Sequence, residues 1–107
     1  MANNYKNSKV DLTTTNVTTI YTAPSATQTV VKSLLVSNDS SSADTITVTI
    51  TDSAAAVFSV YKNEEVGALS SKELLSQPLV VMESEILKVT AATADRLHVV
   101  ASYLEIT

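Results

Sequence analysis

The chain has 107 residues, enough for one hydrophobic core and too few for a second. It carries seven Lys and Arg against eleven Asp and Glu, a formal charge of −4, which excludes the clustered positive charge that phosphate backbones require. It has no Cys, so disulfides, thiolate nucleophiles and cysteine metal sites are ruled out together.

Thr (15), Ser (14), Val (14) and Ile (5) make up nearly half of the chain, a mixture that favours strand over helix. No apolar run approaches the roughly 18 residues of a membrane span, and none follows Met1 in the manner of a secretory signal. The protein is therefore expected to be soluble, without a cleavable export signal. The sequons at Asn16-Val17-Thr18 and Asn38-Asp39-Ser40 read as chance in a Ser/Thr-rich chain.

In chain order, residues 1–8 are polar, rich in Asn and without periodicity, and are expected to form a flexible N-terminal arm. Residues 9–107 are expected to form one β-sandwich domain. Within it, Val10–Thr14 and Val17–Thr22 carry strand signals, closed by Ala23-Pro24-Ser25. The next predicted strand is Thr27–Asn38, with Leu34 and Val36 on one face and Val31, Ser33 and Leu35 on the other. The polar run Asn38–Asp44 is expected to join it to the following strand as a hairpin.

That following strand is the clearest in the chain. Ile46, Val48 and Ile50 alternate strictly with Thr45, Thr47, Thr49 and Thr51, giving one dry face and one hydroxyl-rich, nearly uncharged face. Ala54–Tyr61 reads as another strand, after which Lys62–Ala68 breaks the pattern and contains the one glycine, Gly67. Ser70-Ser-Lys-Glu73 fits either a capping box opening a short helical turn or a plain loop with Leu74 and Leu75 packed inward. Leu79–Met82, Ile86–Ala91 and Leu97–Ile106 complete the set, the last alternating Leu97, Val99, Ala101 and Tyr103 against His98, Val100, Ser102 and Leu104. About seven or eight strands with little helix predict an all-β antiparallel sandwich, jelly-roll or immunoglobulin-like. With a single Gly, its turns are expected to rely on Asn, Asp and Ser.

No catalytic, cofactor-binding or metal residue is assigned. His98 is the one histidine, has no acidic orienter beside it in sequence, and reads as a solvent-facing or interface residue. Asp39 and Asp44 with the intervening serines read as a solvated turn rather than a calcium loop. Glu64 and Glu65, like Glu83 and Glu85, sit in predicted turns and read as solvated charges rather than a glycosidase pair. The absence of Trp weakens a carbohydrate-binding reading, which would rest on Tyr5, Tyr21, Tyr61 and Tyr103.

The segments Ile20-Tyr-Thr-Ala-Pro-Ser25, Val31-Lys-Ser-Leu-Leu-Val-Ser-Asn38, Glu85-Ile-Leu-Lys-Val-Thr-Ala91 and Val99-Val-Ala-Ser-Tyr-Leu-Glu105 together resemble the small virion structural proteins of tailed bacteriophages, in particular marine and cyanobacterial phages. The chain departs from that pattern at Glu83-Ser84-Glu85, where the family has a Gly-Asp-type turn. The resemblance implies a β-sandwich without enzymatic activity or cofactor, attached to a capsid or tail. The expected function is capsid decoration, binding the major capsid protein as a homo-oligomer, with a tail, neck or fibre-attachment component as the alternative and a carbohydrate-binding adhesin module behind it. Its place would be the virion, after a soluble period in the host cytoplasm. Residues 1–8 and 62–77 are the expected contact regions.

Overall fold

In the computed structural model, which describes residues 2–107, the chain is all β: β1 Asn3–Asp11, β2 Thr18–Thr22, β3 Gln28–Asn38, β4 Asp44–Thr51, β5 Val57–Val66, β6 Ser71–Glu73, β7 Leu79–Val81, β8 Ile86–Ala91 and β9 Leu97–Ile106. Two antiparallel sheets form a sandwich. The first has the order β1-β9-β3-β6, with β7 also paired to β3; the second has the order β2-β8-β4-β5. Their inner faces share one apolar core that includes Val31, Leu34 and Val36 of β3, Ile46 and Val48 of β4, Leu87 and Val89 of β8, and Leu97 and Val99 of β9. Burying each such side chain contributes about 1.5–3 kcal/mol.

The expected alternation of β9 is realised along its whole length, each inward residue being buried and each outward one half-buried. In β4, Thr45, Thr47 and Thr49 face outward as their spacing predicts, whereas Thr51 at the end of the strand is buried and Ile50 only half-buried. Three strands break phase, β2, β3 and β5. A register shift at Lys32 of β3 makes Lys32 the extra residue of a bulge, so Val31 and Leu34 turn to the same side and both are fully buried. Strict alternation had put Val31 with Leu35 on the opposite face; one inserted residue reverses the face of everything beyond it. A second shift at Ile20 of β2 lets Ile20 and Tyr21 both enter the core.

The expected flexible arm is not what the described residues form. From Asn3 onward the segment is strand β1, paired residue for residue with β9 from Asn3↔Ile106 to Asp11↔His98; Met1 lies outside the described residues. Its polar side chains hid it, because no residue of β1 is buried. Backbone pairing with β9, the Lys6–Glu105 and Ser8–Tyr103 contacts and the packing of Val10 against the core fix it in place.

The expected β3–β4 hairpin is also corrected. β3 lies between β9 and the β6/β7 pair, and β4 lies between β8 and β5, so residues 38–44 cross from one sheet to the other. Buried Asn38 and Asp44 form the corner. The Asn38 amide donates to Ser42 O (2.9 Å) and Val66 O (3.2 Å), while the Asp44 carboxylate accepts from Thr45 N (2.9 Å) and Thr93 N (3.1 Å). These bonds satisfy groups that would otherwise be costly to bury.

β5 begins later than predicted and runs on through Lys62–Val66, because two register shifts let it follow β4 despite its charges. Ser70–Leu75 forms no helical turn; Ser71–Glu73 pairs with β3 as β6, and Leu74 packs inward.

Candidate functional site

The inward row of β9 ends in a charge. Glu105 follows Leu97, Val99, Ala101 and Tyr103 on the inner face and is buried. Lys6 of β1 reaches it at 2.8 Å, and the Tyr21 phenol of β2 donates to it at 2.5 Å. Tyr21 also shares a hydrogen bond with Thr29 Oγ1 (2.7 Å), and its ring meets that of Tyr103 at a centroid distance of 4.3 Å. Tyr103 in turn bonds Ser8 (2.9 Å).

The hydrogen bonds from Lys6 and then Tyr21 hold the Glu105 carboxyl below its ordinary range. The bond to Glu105 raises Lys6. Burial, reinforced by Glu105, pushes the Tyr21 phenol well above its usual value. Lys6 therefore stays charged and Tyr21 stays a donor, and together they tie β1, β2, β3 and β9 at one end of the sandwich. The carboxylate is buried, with only 5% of Glu105 exposed.

At the other end, register does what sequence spacing did not reveal. Asp11, His98 and Ser37 lie side by side across β1, β9 and β3. His98 Nε2 is 3.2 Å from Asp11 Oδ1, and Nδ1 is 3.8 Å from Asp39 Oδ2. The histidine thus has acidic neighbours that the sequence reading did not foresee. Both ring nitrogens face carboxylates, and the neighbouring Ser37 hydroxyl bonds Ser71 (3.1 Å), so the row lacks the base-to-hydroxyl contact of a nucleophilic triad.

Of the remaining glutamates, Glu65 is exposed, and Glu64, Glu73, Glu83 and Glu85 have structural partners. Glu64 pairs with Lys72. Glu83 accepts from Ala26 N, and Glu85 accepts from Met82 N at 2.8 Å. Glu73 accepts from Ser33 Oγ, from Leu34 N at 2.7 Å and from Leu75 N at 3.2 Å. Among the tyrosines, Tyr21 and Tyr103 are buried, Tyr61 is half-buried and donates to Leu74 O, and Tyr5 alone is strongly exposed, at 75%. No aromatic platform collects on one face.

What the sandwich offers outward is two broad sheet faces. On the second sheet, Thr47 and Thr90 pair across β4 and β8, continuing the threonine surface read from the sequence. On the first sheet, Tyr5, Leu104, Val30 and Val80 form one row across β1, β9, β3 and β7. Tyr5 and Val80 are exposed. Beside this row, Met82, Ile106 and Gln28 line a groove of about 420 Å³. The sequence reading missed this surface because its members come from four separate segments, each with ordinary alternation.

No protein-family model matches the chain, and no curated protein matches it. A chain in a solved structure of the infectious bursal disease virus Gt strain is similar over 98% of this chain at 12% identity, with a TM-score of 0.47; this chain spans 30% of that one. A likeness at that level carries no functional argument.

Proposed function

We propose that the protein is a non-enzymatic virion structural protein that acts by attachment, most specifically a capsid decoration protein binding the major capsid protein. The observation that carries this reading is the apolar row Tyr5–Leu104–Val30–Val80 on the solvent side of the first sheet, with exposed Met82 nearby. Contiguous apolar surface of this kind marks an interaction site more often than a reactive one. The resemblance of its strand segments to small phage virion proteins supports the same reading. So do the polar clusters, whose hydrogen bonds hold strands together. Attachment at many equivalent sites would turn modest single-site affinity into avidity. The loop tip near Leu69, 73% exposed, remains a contact region in this reading, while residues 3–8 contribute as a sheet strand and not as a loose arm.

The test is quantitative mass spectrometry of purified particles against the major capsid protein. A ratio near one to one, or one to a small integer, supports decoration. A ratio below about one in thirty transfers the protein to the tail or neck, and absence from particles overturns the virion reading.

A further inference from the structure

The molecule has several sheet edges, and all but one are interrupted. β2 has five residues and a bulge, β5 has two register shifts, and β6 and β7 have three residues each. Short and bulged edges resist pairing with another chain. β1 differs. It has nine residues, no proline and no register shift, and among the described residues no strand covers its far side.

The hydrogen-bond phase of β1 follows from its two ends. Ala2 and Thr107 exchange both backbone bonds (3.1 and 2.9 Å), and Leu12 N donates to Leu97 O (3.0 Å). Even-numbered residues therefore bond β9, and the backbone groups of Asn3, Tyr5, Asn7, Lys9 and Asp11 point to the open edge. The Asp11 carbonyl is taken by Thr13 N; the others face outward.

We infer that β1 is the seam along which two copies of this chain join, antiparallel, about a two-fold axis at Asn7. A two-fold normal to the sheet pairs only residues of like face, which leaves few registers. Centring on Lys6 sets Lys6 against its own copy, a like-charge contact that disfavours pairing. Centring on Ser8 shortens the overlap by two residues. Centring on Asn7 pairs all nine: Asn7 with Asn7, Tyr5 with Lys9 and Asn3 with Asp11. In this register Lys6 remains neutralised by Glu105 at 2.8 Å, and the Tyr5 ring keeps Lys32 Nζ over it at 5.9 Å. The two first sheets become one continuous sheet, and the Tyr5 row of each copy runs into the Lys9–Val100–Leu35 row of the other. This deepens the homo-oligomer expectation by naming its interface, and it rests on strand geometry rather than on the virion reading.

The absence of cysteine permits a direct test on the full chain. Hydrogen-bonded antiparallel partners have Cα atoms about 5.5 Å apart, within the roughly 4.4–6.8 Å that a disulfide spans. In this register Tyr5 is four residues, about 13 Å, from Tyr5 of the second copy. Under mild oxidation, Asn7→Cys is expected to form a covalent dimer at least about tenfold faster than Tyr5→Cys or Lys9→Cys alone, and a mixture of those two is expected to cross-link to each other. Asn7→Pro removes an outward N–H but no bond to β9, so light scattering at high concentration should give a single-chain mass with unchanged circular dichroism, where the natural chain gives two. A natural chain that stays monomeric, equal cross-linking by Asn7→Cys and Tyr5→Cys, or an Asn7→Pro variant that stays dimeric would each overturn the seam. None of these outcomes bears on particle stoichiometry, so the two readings fail separately.

Discussion

At the residue scale, the main tension lies in the turns. Among the described residues six non-glycine residues adopt positive φ, Ala26, Ala55, Leu69, Ser84 and Asp95 in turns and Asn63 within β5, while Gly67 does not. Asn and Asp tolerate this region through local hydrogen bonding; Ala and Leu have no such compensation. Ser84, at φ 68°, sits in the turn before β8, where glycine would relieve the strain. Ala55, also at φ 68°, sits in an exposed turn held by the Asp52 carboxylate, which accepts from Ala54 N and Ala56 N at 2.9 Å. Ala55→Gly is therefore expected to stabilise the fold by about 1 kcal/mol, read as a higher urea midpoint at unchanged m-value.

At the element scale, one side chain secures the β3 bulge. The phase change at Lys32 divides the far edge of β3 into two docking sites, β7 against Thr29–Val31 and β6 against Leu35–Ser37. Glu73 of β6 reaches back to accept from Leu34 N and Ser33 Oγ at this break. Burial acts to raise its carboxyl, and the bonds from Ser33, Leu34 and Leu75 outweigh it, so the group lies below its ordinary range. Glu73→Ala should cost about 1–3 kcal/mol. Its signature would be faster hydrogen exchange at Leu34, with the β4–β8 amides unchanged. Equal acceleration throughout would mean that Glu73 supports global stability only.

At the scale of the whole molecule, the Lys6–Glu105–Tyr21 cluster links both sheets and the first strand to the last. The Glu105 carboxyl is lowered by folding, so its contribution is present above the ordinary carboxylate value near 4.5 and is lost as pH falls through the lower folded value. Lys6 is raised, so its contribution persists below its ordinary value near 10.5 and fades in stronger alkali. Stability should therefore be flat across neutral pH and fall in acid. Glu105→Gln should lower the neutral plateau and shrink the acid decline. Urea midpoints from pH 2 to 8 for the two proteins test this, and parallel curves would assign the acid loss to other carboxylates.

The strand content was legible because it depends on local alternation: Thr45–Thr51 and Leu97–Leu104 could be assigned from side-chain order alone, and with them the all-β class. Neighbour identity was not legible, because alternation specifies which face is dry and says nothing about which strand lies alongside. Hence the Asn38–Asp44 turn read as a hairpin although it crosses between sheets. The polar residues of β1 read as an arm because pairing with β9 leaves no apolar trace in the sequence. The apolar row on the first sheet and the acidic neighbours of His98 exist only through register, which brings together residues far apart in the chain. Sequence by itself determined the repeating pattern of each strand, since that is set between adjacent residues. Tertiary structure alone decided pairing, bulge phase and surface, since backbone hydrogen bonds are chemically alike along every strand and only the packing of the two sheets selects among them.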